Sequence, residues 1–371
     1  MNRPASSDER ALWRSIIDAA WRAPWADNRP ALRFEWRATD GVLEWHTTEP
    51  ELWRALPHRR WLALLAFGAA LENARLRAAA RGHVLHHRVG SDAASTCVAQ
   101  SWIEGSRDAS PDERALESAI ESRCTNRRFY RRHALPSAAV QSIADAAGPV
   151  MHWLDQPSAR RSALQILRIA EAERFAQWRL HNELFDSIRF DVGWQKSAAH
   201  GLPPAALEIE PPMRASFAWL RHPRTARTAA ALGIPALLAW RAAGLPCGLS
   251  PHLAVVATPR DEAADDGTAS IAAGRALQRA WLAAAHAGAS VQPFAACGAL
   301  LRQAPGDGWV RERTQQRLQR ASDALWSELR LDAPRDLQIF LRIGNSRPPS
   351  ARTEREPVSR ALPPALKNPL E

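Results

Sequence analysis

Residues 122–132, SRCTNRRFYRR, gather Arg123, Arg127, Arg128, Arg131 and Arg132 around Thr125 and Asn126. Guanidinium forks match phosphate or carboxylate oxygens two at a time, and a threonine hydroxyl adds a neutral donor to the same group. The chemistry on offer is anion binding; on residue types alone, a solvated basic turn is the competing reading. No GxSxG, HExxH or P-loop string occurs, so hydrolase and NTPase chemistry has no foothold. His86 and His87 are neighbours on an expected strand and point to opposite faces, and His133, His181, His200 and His252 stand alone. Cys97, Cys124, Cys247 and Cys297 form no CxxC pair, so neither a zinc ribbon nor a disulfide framework is expected, and no metal site is assigned.

The elements that must position the basic segment follow from periodicity and punctuation. Ser6 with Glu9 makes a capping box, and Leu12, Ile16 and Ala20 share a face, predicting a helix over 7–22 that ends at Pro24. ALRFEWR (31–37) and VLEWHT (42–47) alternate about Asp40-Gly41, a hairpin signal. A helix over 58–81 stops at Gly82, and two short strands follow, VLHHR and TCVAQSW, around a Gly/Ser/Asp turn. Ser110, Pro111 and Glu113 open a helix over 111–123, followed by a helix over 137–147 and a strand over 149–153. A mostly helical stretch from 157 to 245 is interrupted by the Gly/Pro-rich residues 191–212, read as a loop or lid. HLAVVATP (252–259) is a buried strand followed by an acidic turn, a helix spans 269–287, and QIFLRIG (338–344) is the last strand. Of the sixteen tryptophans, Trp36, Trp45, Trp61, Trp178, Trp240 and Trp281 fall at half-buried positions, and Trp194 lies within the interruption.

The resulting pattern is an α+β chain of two halves, residues 1–105 and 106–346, with a Pro-rich extended tail over 347–371. Each half is a mainly antiparallel sheet flanked by helices. No strict sequence repeat is visible, and both an ancient duplication and two unrelated domains fit. The formal charge is +10, but with 47 arginines and two lysines spread from end to end it forms no nucleic-acid platform. No apolar leader follows the N-terminus, and the longest uncharged apolar stretches, 61–71 and 228–240, are too short to span a bilayer. A cytoplasmic protein binding a small molecule, with no nucleic-acid or membrane partner, is expected as a monomer or a homodimer.

In this setting AIESRCTNRRF resembles the opening phosphate-binding motif of the nitroreductase family, an Arg-x-Ser/Thr-x-Arg run that holds flavin mononucleotide (FMN). Residues 272–294 look like the family's helix and following turn, HLAVVATP like the strand between, and FLRIGNSRPPSARTEREPV (340–358) like its closing strand and Arg-Pro tail. APWADNRPALRF (23–34) is similar to a family segment that ordinarily comes from the partner subunit. One chain carrying both elements resembles the Acg-like subgroup, whose chains look like a fused dimer with one surviving site.

The resemblance implies a nitroreductase-like fold and an oxidoreductase passing hydride through the flavin N5 between NAD(P)H and an electron-poor acceptor such as a nitroaromatic, quinone or enone. No catalytic side chain beyond the flavin is required. A biosynthetic dehydrogenase or oxidase of the same fold and a non-catalytic FMN-sequestering protein are the alternatives. By position, Arg123, Thr125 and Arg127 fall on the phosphate motif, with Cys124 between them where the family often has Arg or His. Arg355 falls on the tail arginine that closes over the phosphate, and Arg352 is a second candidate. Arg127 is assigned to the flavin N1 and C2 carbonyl. Pro24 and Asn28 fall on the loop at the ring edge. Trp25 replaces a small serine there, and stacking on the ring, filling the substrate face and packing elsewhere are all open. The turn Gly288–Phe294 falls where backbone amides meet N5, with Gln292 beside Pro293 as a ring contact or a helix-capping residue.

Overall fold

The computed structural model describes residues 6–90, 95–260, 266–303, 306–331 and 335–367. The expected turns after Gly90 and Pro259 fall on residues 91–94 and 261–265, outside the described residues. Contacts divide the chain into two units: residues 1–123, 263–286 and 355–371 form the first, and residues 124–262 and 287–354 form the second. The division falls after Arg123 and not near 105, because the Pro111–Ser118 helix is ion-paired to the long helix before it through Arg75–Glu113 and Arg77–Glu117.

In the first unit the Ser6/Glu9 capping box is formed, and the Ser7–Trp21 helix buries Trp13, Ile16, Ile17 and Ala20. Strands β1 (Leu32–Arg37), β2 (Val42–Thr47), β3 (His83–Val89) and β4 (Cys97–Ser106) make an antiparallel sheet in the order β1-β2-β4-β3. The hairpin closes through Gly41 at φ 68°, and Phe34 and Trp45 meet edge to face across it at 4.9 Å.

The core of this unit is a helix crossing. The Pro57–Ala80 helix lies against the Asp266–His286 helix so closely that a Cβ on Gly68 would stand 2.1 Å from the Ile271 carbonyl oxygen. A Cβ on Gly274 would stand 2.0 Å from the Leu65 carbonyl oxygen. Beside the crossing, Glu72 is fully buried and receives Arg75, Arg275 and Arg279. Burial pushes its carboxyl up, and the three arginines outweigh that and hold it below the ordinary range. Gln278 donates to the Asn73 side chain at 2.7 Å, and Asn73 donates to the Ala19 carbonyl at 2.9 Å. The tail is not a purely extended strap: Val358–Arg360 and Pro364–Leu366 are 3-10 turns, and Ala361, Leu362 and Leu366 are buried in the same core as Trp13 and Phe67.

In the second unit β5 (Met151–Trp153), β6 (His252–Pro259), β7 (Ser290–Phe294) and β8 (Arg335–Gly344) form an antiparallel sheet in the order β5-β6-β8-β7. Central β6 is buried from His252 to Thr258, which explains its unbroken apolar run. The Pro157–Ala176 and Glu312–Glu328 helices share its core. The Gly288–Phe294 segment, expected as a turn, is an edge strand from Ser290, because Val291 and Phe294 are drawn inward and pair with Ile343 and Phe340.

The helical stretch after 157 breaks at Gln177 and again beyond Ser187. Residues 191–212 are tied down by a parallel bridge between Ile188 and Leu202 and by burial of Leu202, Ala205 and Ala206. Trp240, expected half-buried, is 43% exposed. No single described helix is long and apolar enough to cross a membrane, and the one pair that reaches that length together, Pro223–Ala231 with Ile234–Leu249, is bent by 90°.

At the crossing, Gly68→Ala and Gly274→Ala should each destabilise the chain by about 2–3 kcal/mol, although alanine is the better helix former. A urea denaturation midpoint unchanged in both variants would contradict the close approach.

Candidate functional site

The first helix ends at Trp21, and its terminal carbonyls carry the negative end of the helix dipole. Two arginines from distant parts of the chain converge there. Arg355 donates from Nε to the Trp21 carbonyl at 3.2 Å and from Nη2 to the Ala23 carbonyl at 2.6 Å. Arg123 donates from Nη2 to the Arg22 carbonyl at 3.3 Å, and its guanidinium lies 4.5 Å from the Trp281 ring centroid. The Trp21 indole holds the tail by donating to the Glu356 carbonyl at 3.0 Å.

Burial, and after it the charge of Arg123, push the Arg355 guanidinium down to about 9. Two like charges thus act on one another at this helix end.

The chain then passes into Pro24 and Trp25. The Trp25 indole is 7% exposed and packs edge to face on Phe67 at 5.4 Å. Its Nε1 is buried with no hydrogen-bond acceptor among the described residues. Asp27 and Asn28 follow with φ of 54° and 55°, a left-handed pair that asparagine and aspartate tolerate best, and Asn28 is buried.

In the second unit the basic segment is organised by Asn126. Its side chain donates to the Arg347 carbonyl at 2.8 Å and the Ser290 hydroxyl at 3.1 Å, and accepts from the Arg128 amide at 3.0 Å. Thr125 forms a parallel bridge with Val291, which sets the motif alongside β7. Arg127, assigned to the flavin ring, donates from Nη1 to the Ala206 carbonyl at 3.1 Å. Arg128 reaches the Ser350 hydroxyl at 2.7 Å and Glu208 at 3.4 Å.

Gln292 neither caps a helix nor projects freely: its Oε1 accepts from Arg342 Nε at 2.7 Å within paired strands. Arg342 is fully buried, with its guanidinium 4.1 Å from the Tyr130 ring centroid. Pro293 lies half-buried on the same strand, Cys124 is a half-buried free thiol, and Arg352 is exposed. The structure therefore brings Arg123 and Arg355 together in the first unit, and Thr125 beside the strand of Gln292 and Pro293 in the second.

Sequence reading places Asn126 in the basic segment without this organising role, and it passes over Arg342. An asparagine two residues before an amide it can cap is a signal that could have revealed the first. A lone arginine in an apolar strand could have revealed the second.

No family model and no curated protein matches the chain. Among solved structures it is similar to the FMN-dependent nitroreductase NfnB from Mycobacterium smegmatis in complex with NADPH. The identity is 17%, the match covers 67% of this chain and 97% of that one, and the TM-score is 0.34.

Inorganic phosphate should raise the thermal midpoint of the wild-type chain, by the equivalent of about 1.4 kcal/mol at ten times its Kd. The rise should vanish in Arg355→Gln and Arg123→Gln; a phosphate response retained by both variants would show that the anion binds elsewhere.

Proposed function

We propose that the chain is an FMN-dependent oxidoreductase of nitroreductase type. The observation that carries the reading is the convergence of Arg123 and Arg355 on the carbonyls of residues 21–23, where burial and mutual repulsion favour an anion. A phosphomonoester suits this pair because two guanidinium forks can satisfy its oxygens bidentately. The orphaned Trp25 Nε1 is a second feature that a bound polar ring system would satisfy.

In this reading Arg123 and Arg355 hold the phosphate, Thr125 adds a hydroxyl, and the Cys124 backbone completes the run. Pro24, Trp25 and Asn28 belong to the ring edge, as do Gln292 and Pro293. Gln292 has its carbonyl committed to Arg342, which leaves its amide as the group to offer. Arg127 shares its guanidinium with Ala206, and Arg352 is free to approach from the surface. The flavin supplies two-electron hydride chemistry, with NAD(P)H as donor and an electron-poor small molecule as acceptor. The chain's own residues bind and orient; none is asked to act as acid or base.

We also read the chain as a fused and diverged duplication, in keeping with the Acg-like resemblance. Both sheets run in the same relative order. Gly68, Leu71, Ala74, Leu76, Gly82 and Leu85 have counterparts 206 positions later in Gly274, Leu277, Ala280, Leu282, Gly288 and Val291. Gly82 and Gly288 stop their helices with the same positive φ, 81° and 72°.

Titration of the apoprotein with FMN should show one site per chain. Arg123→Gln and Arg355→Gln should each raise the Kd about 10–150-fold, through loss of a charge-assisted bond of ~1.5–3 kcal/mol. A wild-type chain that refuses FMN overturns the reading. With FMN bound, anaerobic NADH or NADPH should bleach the flavin band, and no bleaching by either donor would exclude the reductase.

A further inference from the structure

One face of the first sheet carries a group of side chains that the flavin reading does not use. Glu35 on β1 pairs with Glu44 on β2, and His46 on β2 pairs with Cys97 on β4. The ladder between β2 and β4 slips between Trp45 and His46, and this irregularity sets Cys97 opposite His46. His46 Nε2 lies 3.4 Å from a Glu44 carboxylate oxygen and 3.5 Å from a Glu35 carboxylate oxygen. The donor atoms of Glu44, His46 and Cys97 all lie within 4.8 Å of one another. Around a tetrahedral zinc ion, bonds of about 2.0–2.3 Å set neighbouring donors roughly 3.3–3.8 Å apart. The His46 nitrogen already has that spacing from both carboxylate oxygens, and the Cys97 sulfur lies within 4.8 Å of the Glu44 and His46 donors.

The surroundings are those of an oriented ligand set. His46 Nδ1 is 3.0 Å from the Thr96 hydroxyl, which fixes the ring with Nε2 toward the carboxylates. Arg37 at 2.8 Å and Gln100 at 2.9 Å both hold Glu44 Oε1, leaving Oε2 for the cluster.

We propose that Glu44, His46 and Cys97, with Glu35 as the fourth donor, bind one zinc-class divalent cation. An imidazole, a thiolate and carboxylates together favour zinc or cobalt over magnesium or calcium. Binding ties three neighbouring strands, including the edge strand β1, and is a structural role independent of flavin. The ion takes the Cys97 thiolate, and one proton passes to solvent.

The test uses the untagged full-length chain, treated with a chelator and titrated with cobalt(II). One ion per chain is expected, with a near-ultraviolet thiolate-to-cobalt charge-transfer band that zinc abolishes by displacement, and with one proton released. Cys97→Ser should remove the band. Thr96→Ala, outside the ligand set, should keep the band and weaken binding roughly 10–100-fold. Glu35→Gln, at a half-exposed position, should weaken it at least tenfold without depending on a buried substitution. No stoichiometric cobalt uptake, or a band that survives in Cys97→Ser, overturns the proposal.

Discussion

The first unit depends on two helices, distant in sequence, touching backbone to backbone. Gly68 and Gly274 permit it reciprocally, each occupying space that any side chain would take from the other helix's carbonyls. Close packing alone would leave Glu72 as a buried charge, a penalty of several kcal/mol. Three arginines, two of them from the Asp266–His286 helix, turn that liability into a requirement for this partner and this register. The same helix presents Trp281 beneath Arg123, so the crossing also sets the floor on which the basic pair rests.

The arginine pair shows how a fold can hold a repulsive arrangement in place. Arg123 and Arg355 are fixed by carbonyls at a helix C-terminus, where the dipole favours cations, and by an aromatic face. These groups orient the guanidiniums, while burial and the charge of Arg123 push Arg355 down. In the second unit Arg342 is also buried and pushed down by burial, but the Tyr130 ring, Gln292 and the Arg128 carbonyl surround it and give it a structural task.

Local signals were readable before any coordinates. Ser6/Glu9 and Ser110/Glu113 cap their helices, Gly41 and Gly82 turn where expected, and the apolar run at 252–259 is a buried strand. These features are decided within a few residues. What escaped sequence reading is decided at long range. Nothing near Asp266 says that its helix packs against one some 200 residues earlier, or that Ala361, Leu362 and Leu366 complete the core begun by Trp13. For the candidate site, the motif points to Arg123 and Thr125 and the tail to Arg355, whereas Trp25 and Gln292 take partners, Phe67 and Arg342, that spacing cannot reveal. The Glu44, His46 and Cys97 group was missed for a similar reason, because Cys97 comes from β4, some 50 residues beyond the β2 pair Glu44 and His46.

The first unit is assembled from three stretches of chain, and the last reaches Leu366. At ~5–20 residues per second, translation from Arg123 to Leu366 takes on the order of ten to fifty seconds. Until residue 286 is made the nascent N-terminal sheet lacks the helix that covers Gly68, and throughout the interval it lacks the apolar residues at 361–366. It is a half-built layer, and its completion follows the ribosome's progress more than its own folding speed.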